Sequence, residues 1–228
     1  MEREPLIIAL NFTERDKALY TVDILRPFVK RFKIGLPLFV KYGYSIIEDI
    51  QKYDTNIFLD LKLHDIPSVV SQTIENINDL DIEFLTIHLQ GGKDLAKAAM
   101  KSTSTIKLLG VTILTSIKES EFKSIYGISL NESVIKLASV ATSTGLYGVV
   151  CSGFESQEIK KQFPELKTIV PGIRLKDNKD DQNRVLSPCD ALKRKADFLV
   201  VGRDITHYEN ITERIKLYLE EIKQCGYI

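Results

Sequence analysis

The chain has 228 residues, 44% hydrophobic and 27% charged, a composition that excludes a disordered or fibrous protein and supplies a core for one sizeable globular domain. Lysine plus arginine equal aspartate plus glutamate at 31 each, so no net basic field favours nucleic acid or an anionic membrane, and a small-molecule partner is expected. The segment MEREPLIIALNF sets charges and a proline before an apolar run too short for a signal-peptide core or a membrane span, which points to the cytoplasm.

Short apolar runs recur along the chain, each followed by a helical pattern. The first half carries LIIALNF from Leu6, FKIG from Phe32, IFLDLKL from Ile57 and FLTIHL from Phe84. The second half continues with IKLLGVTIL from Ile106, GVVCS from Gly148, KTIVPGI from Lys167 and DFLVVGR from Asp197. Between them lie amphipathic segments such as LPLFVKYGYSIIEDIQKY, SLNESVIKLASVATSTG and NITERIKLYLEEIKQC. Ser129 with Glu132 fits a capping box, and Gly145 suits the stop of the helix that follows. Eight strands alternating with helices predict a closed α/β barrel, the (β/α)8 or TIM architecture, as a single domain spanning the chain, rather than an open doubly wound sheet. The polar stretch KDNKDDQNR, from Lys176 to Arg184, reads as a mobile loop.

The segment FLDLKLHDIP, from Phe58 to Pro67, poses the main question. Leu59, Leu61 and Leu63 share one strand face, while Phe58, Asp60 and Lys62 share the other. An exposed edge strand with a surface salt bridge would account for a lone D-x-K. In a barrel, however, polar residues recur at the strand ends that form its upper face: Asn11, Lys33, Asp60, Lys62, Thr115, Arg174 and Arg203. Barrel enzymes place their chemistry on that face. Taken singly, Lys33 or Thr115 fits a solvated strand terminus equally well.

LVVGRDI brings Gly202 and Arg203 to the end of the last strand, where barrels often hold phosphate on backbone N–H groups and a nearby cation. A turn glycine beside a surface arginine is the plainer account of the pair. The preceding unit, TIVPGIR, leads through the polar loop to Gln182 and offers a segment to fold over a bound phosphate. His88 reads as packed or hydrogen-bonded, because no histidine or cysteine lies at metal-ligand spacing from it. His207 reads as a solvated loop residue, and His64 as a motif neighbour without a part. Cys151, Cys189 and Cys225 are odd in number and widely spaced, and are expected to be reduced.

Together, DLKLHDIP, FKIG, VTILTS, PGIR, DDQNRV and VGRDIT resemble the orotidine monophosphate decarboxylase family. D-x-K-x-x-D alone marks a broader group of phosphate-sugar decarboxylases, whereas the ordered set spans the first strand to the last. The resemblance implies conversion of orotidine monophosphate to uridine monophosphate by a barrel homodimer with no metal or organic cofactor. By it, Lys62, Asp60, Asp65 and Lys33 are the catalytic residues, with Asp65 contributed across the dimer interface. Thr115 would meet the pyrimidine amide, Gln182 would reach between pyrimidine and phosphate, and Gly202 with Arg203 would hold the phosphate. Arg174 matches the arginine of the family's PGIR segment, and Ile66, Pro67, Ser68 and Val69 would help frame the ribose.

One departure stands out. IIALNF carries Asn11 where the family's ALD pattern has aspartate, which the resemblance ties to ribose binding and the charged network; weakened activity is expected. Two other readings compete. Magnesium-dependent relatives, which resemble 3-keto-gulonate-phosphate decarboxylase or hexulose-phosphate synthase, carry a metal-binding glutamate at the position of Lys33, where an ammonium would repel Mg²⁺. A catalytically weak barrel that binds nucleotides as a regulator is the other.

Overall fold

Strands buried on both faces must be apolar along most of their length, and that is how the eight runs read. In the computed structural model, which describes residues 4–175 and 186–227, they form β1 (Leu6–Leu10), β2 (Arg31–Gly35), β3 (Asn56–Leu63) and β4 (Phe84–His88). The set is completed by β5 (Lys107–Val111), β6 (Gly148–Val150), β7 (Lys167–Pro171) and β8 (Phe198–Val201). The strands pair in parallel in sequence order, and β8 closes on β1 through Leu6↔Leu199, Ile7↔Val200 and Ile8↔Val201. The result is a closed (β/α)8 barrel, as the spacing predicted.

Alternation divides the apolar side chains into two cores. Ile7, Ala9, Phe58, Phe84, Leu109, Ile169 and Val200 point inward and fill the barrel, while Ile8, Leu59, Leu85 and Val170 point outward against the helices. Phe84 sits at the centre of the lower fill, edge-on to Phe58 at 5.9 Å and to Phe198 at 5.4 Å between ring centroids.

The helices follow the predicted segments with two adjustments. LPLFVKYGYSIIEDIQKY divides into helices Leu36–Tyr42 and Tyr44–Gln51, because Gly43 takes φ +58°, a conformation that a side chain resists. Ser129 accepts the Glu132 N–H at 3.2 Å as an N-cap, but Glu132 turns to Lys136 at 2.7 Å, so only one arm of the predicted capping box forms. A full box forms instead at Ser152 and Glu155, and Gly145 ends helix Leu130–Thr144 at φ +81° as expected.

The reading of three reduced cysteines needs correction. Cys189 and Cys225 form a disulfide that ties helix Pro188–Lys193 to the end of helix Ile211–Gln224, and Cys151 is free and buried. Their 36-residue separation hid a Cα–Cα distance of 5.8 Å, which the return of the last helix creates. No helix among the described residues is long and apolar enough to cross a membrane.

Candidate active site

Inward-facing positions at the C-terminal ends of the strands converge on a cavity of about 320 Å³. Asn11, Lys33, Asp60, Lys62, Thr115, Arg174, Gly202 and Arg203 all line it, so eight of the predicted residues meet in one place. Its apolar wall includes Phe58, Val111, Ile113, Ile169 and Val200. Predicted Gln182 and the KDNKDDQNR segment lie outside the described residues.

At the centre is Asp60, which is 9% exposed. Its Oδ2 lies 3.1 Å from Lys33 Nζ, and its Oδ1 accepts from Lys62 Nζ at 2.8 Å and from Thr86 Oγ1 at 3.0 Å. Burial presses the Asp60 carboxyl upward, but Lys33 and then Lys62 outweigh it and hold the group below the usual carboxylate value. Asp60 is therefore ionised at neutral pH, and it fixes two cations on the cavity wall. Asn11 supplies no charge to Lys33, which keeps Asp60 as its charged partner.

The opposite side is built for close approach. A Cβ on Gly202 would lie 2.8 Å from Asn11 Nδ2, so a larger residue there would push the Asn11 amide aside. Arg203 follows it and is exposed. Sequence reasoning passed over Asp204, the next residue, whose carboxylate is buried. Its Oδ2 accepts from the Leu175 N–H at 3.3 Å, from Arg214 Nη2 at 3.0 Å and from the Tyr218 hydroxyl. Burial and then the Asp204 carboxylate push the Tyr218 phenol up, keeping it a neutral donor. Asp204 thus joins the ends of β7 and β8 to the last helix. Its signal was available in VGRDIT, where a charge sits among residues that must pack.

Some predicted residues stay apart from the cavity of their own chain. Asp65 is exposed, and its Oδ1 accepts the Ile66 N–H at 2.7 Å. Ile66, Pro67, Ser68 and Val69 form the exposed start of helix Pro67–Ile77, so they do not frame this cavity within one chain. Ile66 is 62% exposed.

The histidines behave as expected in part. His88 is 7% exposed, accepts the Gln90 N–H and stacks on His64 at 5.0 Å. Burial, then His64 and Lys62, lower its pKa to about 4. His207 is exposed but stacks on Phe12 at 6.0 Å. Among the described residues no cluster of three or more His, Cys, Asp or Glu side chains could hold a metal ion.

Comparison with known proteins agrees with this geometry. The model of the orotidine 5'-phosphate decarboxylase / HUMPS family matches residues 4–218. The chain is 42% identical over 233 residues to the orotidine 5'-phosphate decarboxylase of Ehrlichia chaffeensis, covering 99% of this chain and 100% of that one. It is 40% identical to the enzyme of that name from Dictyoglomus thermophilum, covering 96% of each. The crystal structure of orotidine 5'-phosphate decarboxylase from Lactobacillus acidophilus superposes with a TM-score of 0.79 at 29% identity, over 95% of this chain and 98% of that one. The closed β/α-barrel and these full-length relatives define a class of decarboxylating lyases. Within it, the chain belongs to the orotidine 5'-phosphate decarboxylase / HUMPS family.

Proposed function

We propose that this chain converts orotidine monophosphate to uridine monophosphate and carbon dioxide in pyrimidine biosynthesis, with Lys62 as proton donor and no metal or organic cofactor. The observation that carries the reading is Asp60 held between two ammonium groups, Lys33 at 3.1 Å and Lys62 at 2.8 Å, on the wall of the cavity that Arg203 also lines.

The chemistry demands such an arrangement. When the bond between the pyrimidine ring and its carboxylate breaks, the electron pair stays on the ring carbon, in the ring plane, where no neighbouring carbonyl delocalises it. A fixed cation must meet that charge. Two unit charges about 4 Å apart at an effective dielectric of about 20 interact by about 4 kcal/mol before desolvation is counted, so placement matters. Lys62 stabilises the developing carbanion and then transfers a proton from Nζ to the ring carbon; solvent reprotonates the amine after carbon dioxide leaves. Asp60 orients the Lys62 ammonium, and Lys33 completes the array.

The remaining assignments follow the same logic. Arg203 binds the phosphate through charge-assisted hydrogen bonds, with Gly202 allowing close backbone approach. By the family resemblance, Thr115 would meet the pyrimidine amide, Gln182 would reach between pyrimidine and phosphate, Arg174 would bind substrate as the arginine of the PGIR segment, and Asn11 would contact the ribose. Binding energy from the remote phosphate positions the ring. The donor set supports the metal-free reading over a magnesium-dependent relative, since an ammonium occupies each side of the Asp60 carboxylate that would otherwise serve a cation.

The reading includes a cytoplasmic homodimer in which Asp65, with Ile66 to Val69, completes the neighbouring chain's site. Support comes from the exposure of Asp65 and from apolar side chains left in water after β2, β3 and β5. Leu36, Val40, Ile66, Val69 and Leu114 range from 39% to 78% exposed.

The test is to incubate chelator-treated protein with orotidine monophosphate and follow uridine monophosphate. Formation at a rate unchanged by the chelator is expected. Nucleotide binding without turnover would make the protein a regulator, and activity confined to a sugar phosphate with Mg²⁺ would make it a metal-dependent relative.

A further inference from the structure

FLTIHL alternates, so Phe84, Thr86 and His88 face the barrel interior while Leu85 and Ile87 face the helices. Thr86 is 0% exposed and does not line the cavity, yet it contacts the two residues most central to it. Its Oγ1 donates to Asp60 Oδ1 at 3.0 Å and accepts the Lys62 backbone N–H at 2.8 Å. Asp60 Oδ1 in turn accepts from Lys62 Nζ at 2.8 Å. Three contacts thus close a ring through Thr86, Asp60 and both ends of Lys62.

The backbone explains why the ring is needed. Among the described residues, three other than glycine have positive φ; Asp54 and Lys195 lie in turns, whereas Lys62, at +50°, lies inside a strand. A side chain opposes that conformation, and the surroundings must hold it. The β3–β4 ladder cannot, because its register shifts between Leu59↔Leu85 and Leu63↔Ile87. The Thr86 hydroxyl is the acceptor for the Lys62 N–H at the bulge. A hydroxyl has one hydrogen to donate and lone pairs to accept with, so a single group serves both partners.

We infer that Thr86 is a positioning residue: its hydroxyl locks the left-handed backbone at Lys62 and one oxygen of Asp60 together, and so sets where the Lys62 ammonium stands. The inference rests on the proposed decarboxylation. It concerns how the proton donor is aimed, and Thr86 itself touches no substrate atom.

Thr86→Val keeps the shape and loses both hydrogen bonds, and Thr86→Ser keeps the hydroxyl. With orotidine monophosphate, Thr86→Val is expected to lower kcat about ten- to a hundredfold, the usual effect of losing hydrogen bonds to a charged group, with uridine monophosphate affinity within about twofold of the parent. Thr86→Ser is expected to recover kcat to within about threefold. If Thr86→Val does not fold, Thr86→Ala, which adds no methyl against the carboxylate, is read by the same criteria. Crystal structures supply a readout independent of turnover: Lys62 should keep positive φ in the serine variant and relax in the hydroxyl-free one, with Nζ displaced from Asp60. A hydroxyl-free variant with near-parent kcat, an equal fall in kcat and nucleotide affinity, or unchanged Lys62 geometry would overturn the inference. An inactive parent would instead remove the proposed function, and the crystal structures would still decide the role of Thr86 in holding Lys62.

Discussion

At the N-terminal end of the barrel Glu83 accepts from Arg31 Nε at 2.8 Å, Lys107 Nζ at 3.2 Å and Asn56 Nδ2 at 3.0 Å, while at the other end Asp60 sits between Lys33 and Lys62. The two carboxylate side chains are equally sheltered, 14% and 12% exposed, and each is held below its usual pKa because neighbouring cations overcome the effect of burial. Burial and charge pairing therefore do not separate them. The cations' other neighbours do. Below, Arg31 lies over Phe198 at 5.2 Å and Phe84 at 6.0 Å, and Lys107 over Tyr147 at 5.2 Å, so rings that plug the barrel cover their charges. Above, among the described residues, no ring covers Lys33 or Lys62. Both line the cavity, and Lys62 stands on a left-handed backbone. The lower cluster fastens strand starts together; the upper one leaves its charge facing the cavity.

Restoring a shared site sharpens the upper half of the comparison. Asp65→Ala and Lys62→Ala should each be inactive alone, and mixing them should raise activity at least about a hundredfold over background, because each heterodimer then holds one site with both residues intact. The check is turnover by purified heterodimers carrying different tags. Background activity in verified heterodimers would break the shared-site assignment.

Arg31→Met tests the lower half. Removing the guanidinium leaves Glu83 with less compensation and uncovers Phe198, and a loss of about 1–3 kcal/mol in stability is expected, measured by denaturant unfolding. Turnover at 25 °C should stay within about twofold.

Asn11→Asp should raise catalytic efficiency on orotidine monophosphate by about tenfold or less, since a carboxylate accepts ribose hydrogen bonds more strongly but Lys33 already has a charged partner. Side-by-side kcat and KM at fixed salt and pH decide it. No gain would mean that the pocket already accommodates the amide.

The smallest effect concerns His88. Its folded pKa of about 4 lies below the ordinary 6.5, so the unfolded chain binds more protons between these values, and stability is fully present above pH 6.5 and falls as pH drops toward 4. Denaturant midpoints between about pH 5 and 6.5 should fall with acid in the parent and fall less in His88→Gln. Equal slopes would contradict the buried, neutral imidazole.

The fold was legible because strands buried on both faces leave continuous apolar runs, and all eight fell where LIIAL, FKIG and their successors stood. The charged cluster was legible because Asp60 and Lys62 interrupt such a run. The bulge that aims Lys62 was not, since strict alternation predicts a regular ladder and a register shift leaves no mark on composition. Thr86 was missed for a related reason: threonine in an apolar strand reads as a β-branched filler, and its role depends on what lies across the ladder. Asp204 was hidden within a motif in which Gly202 and Arg203 explained enough. The Cys189–Cys225 pair depends on where the last helix returns, a tertiary outcome that sequence spacing does not encode.

The most direct measurement compares Lys62→Ala with Arg31→Met in one assay: conversion of orotidine monophosphate to uridine monophosphate by chelator-treated, folded protein. Lys62→Ala should lose about a thousandfold or more in kcat while unfolding at about the parent's denaturant concentration, and Arg31→Met should turn over normally while unfolding earlier. Near-parent turnover by Lys62→Ala, or an equal loss of activity in both, would contradict the claim that the upper cluster carries the chemistry and the lower one the fold.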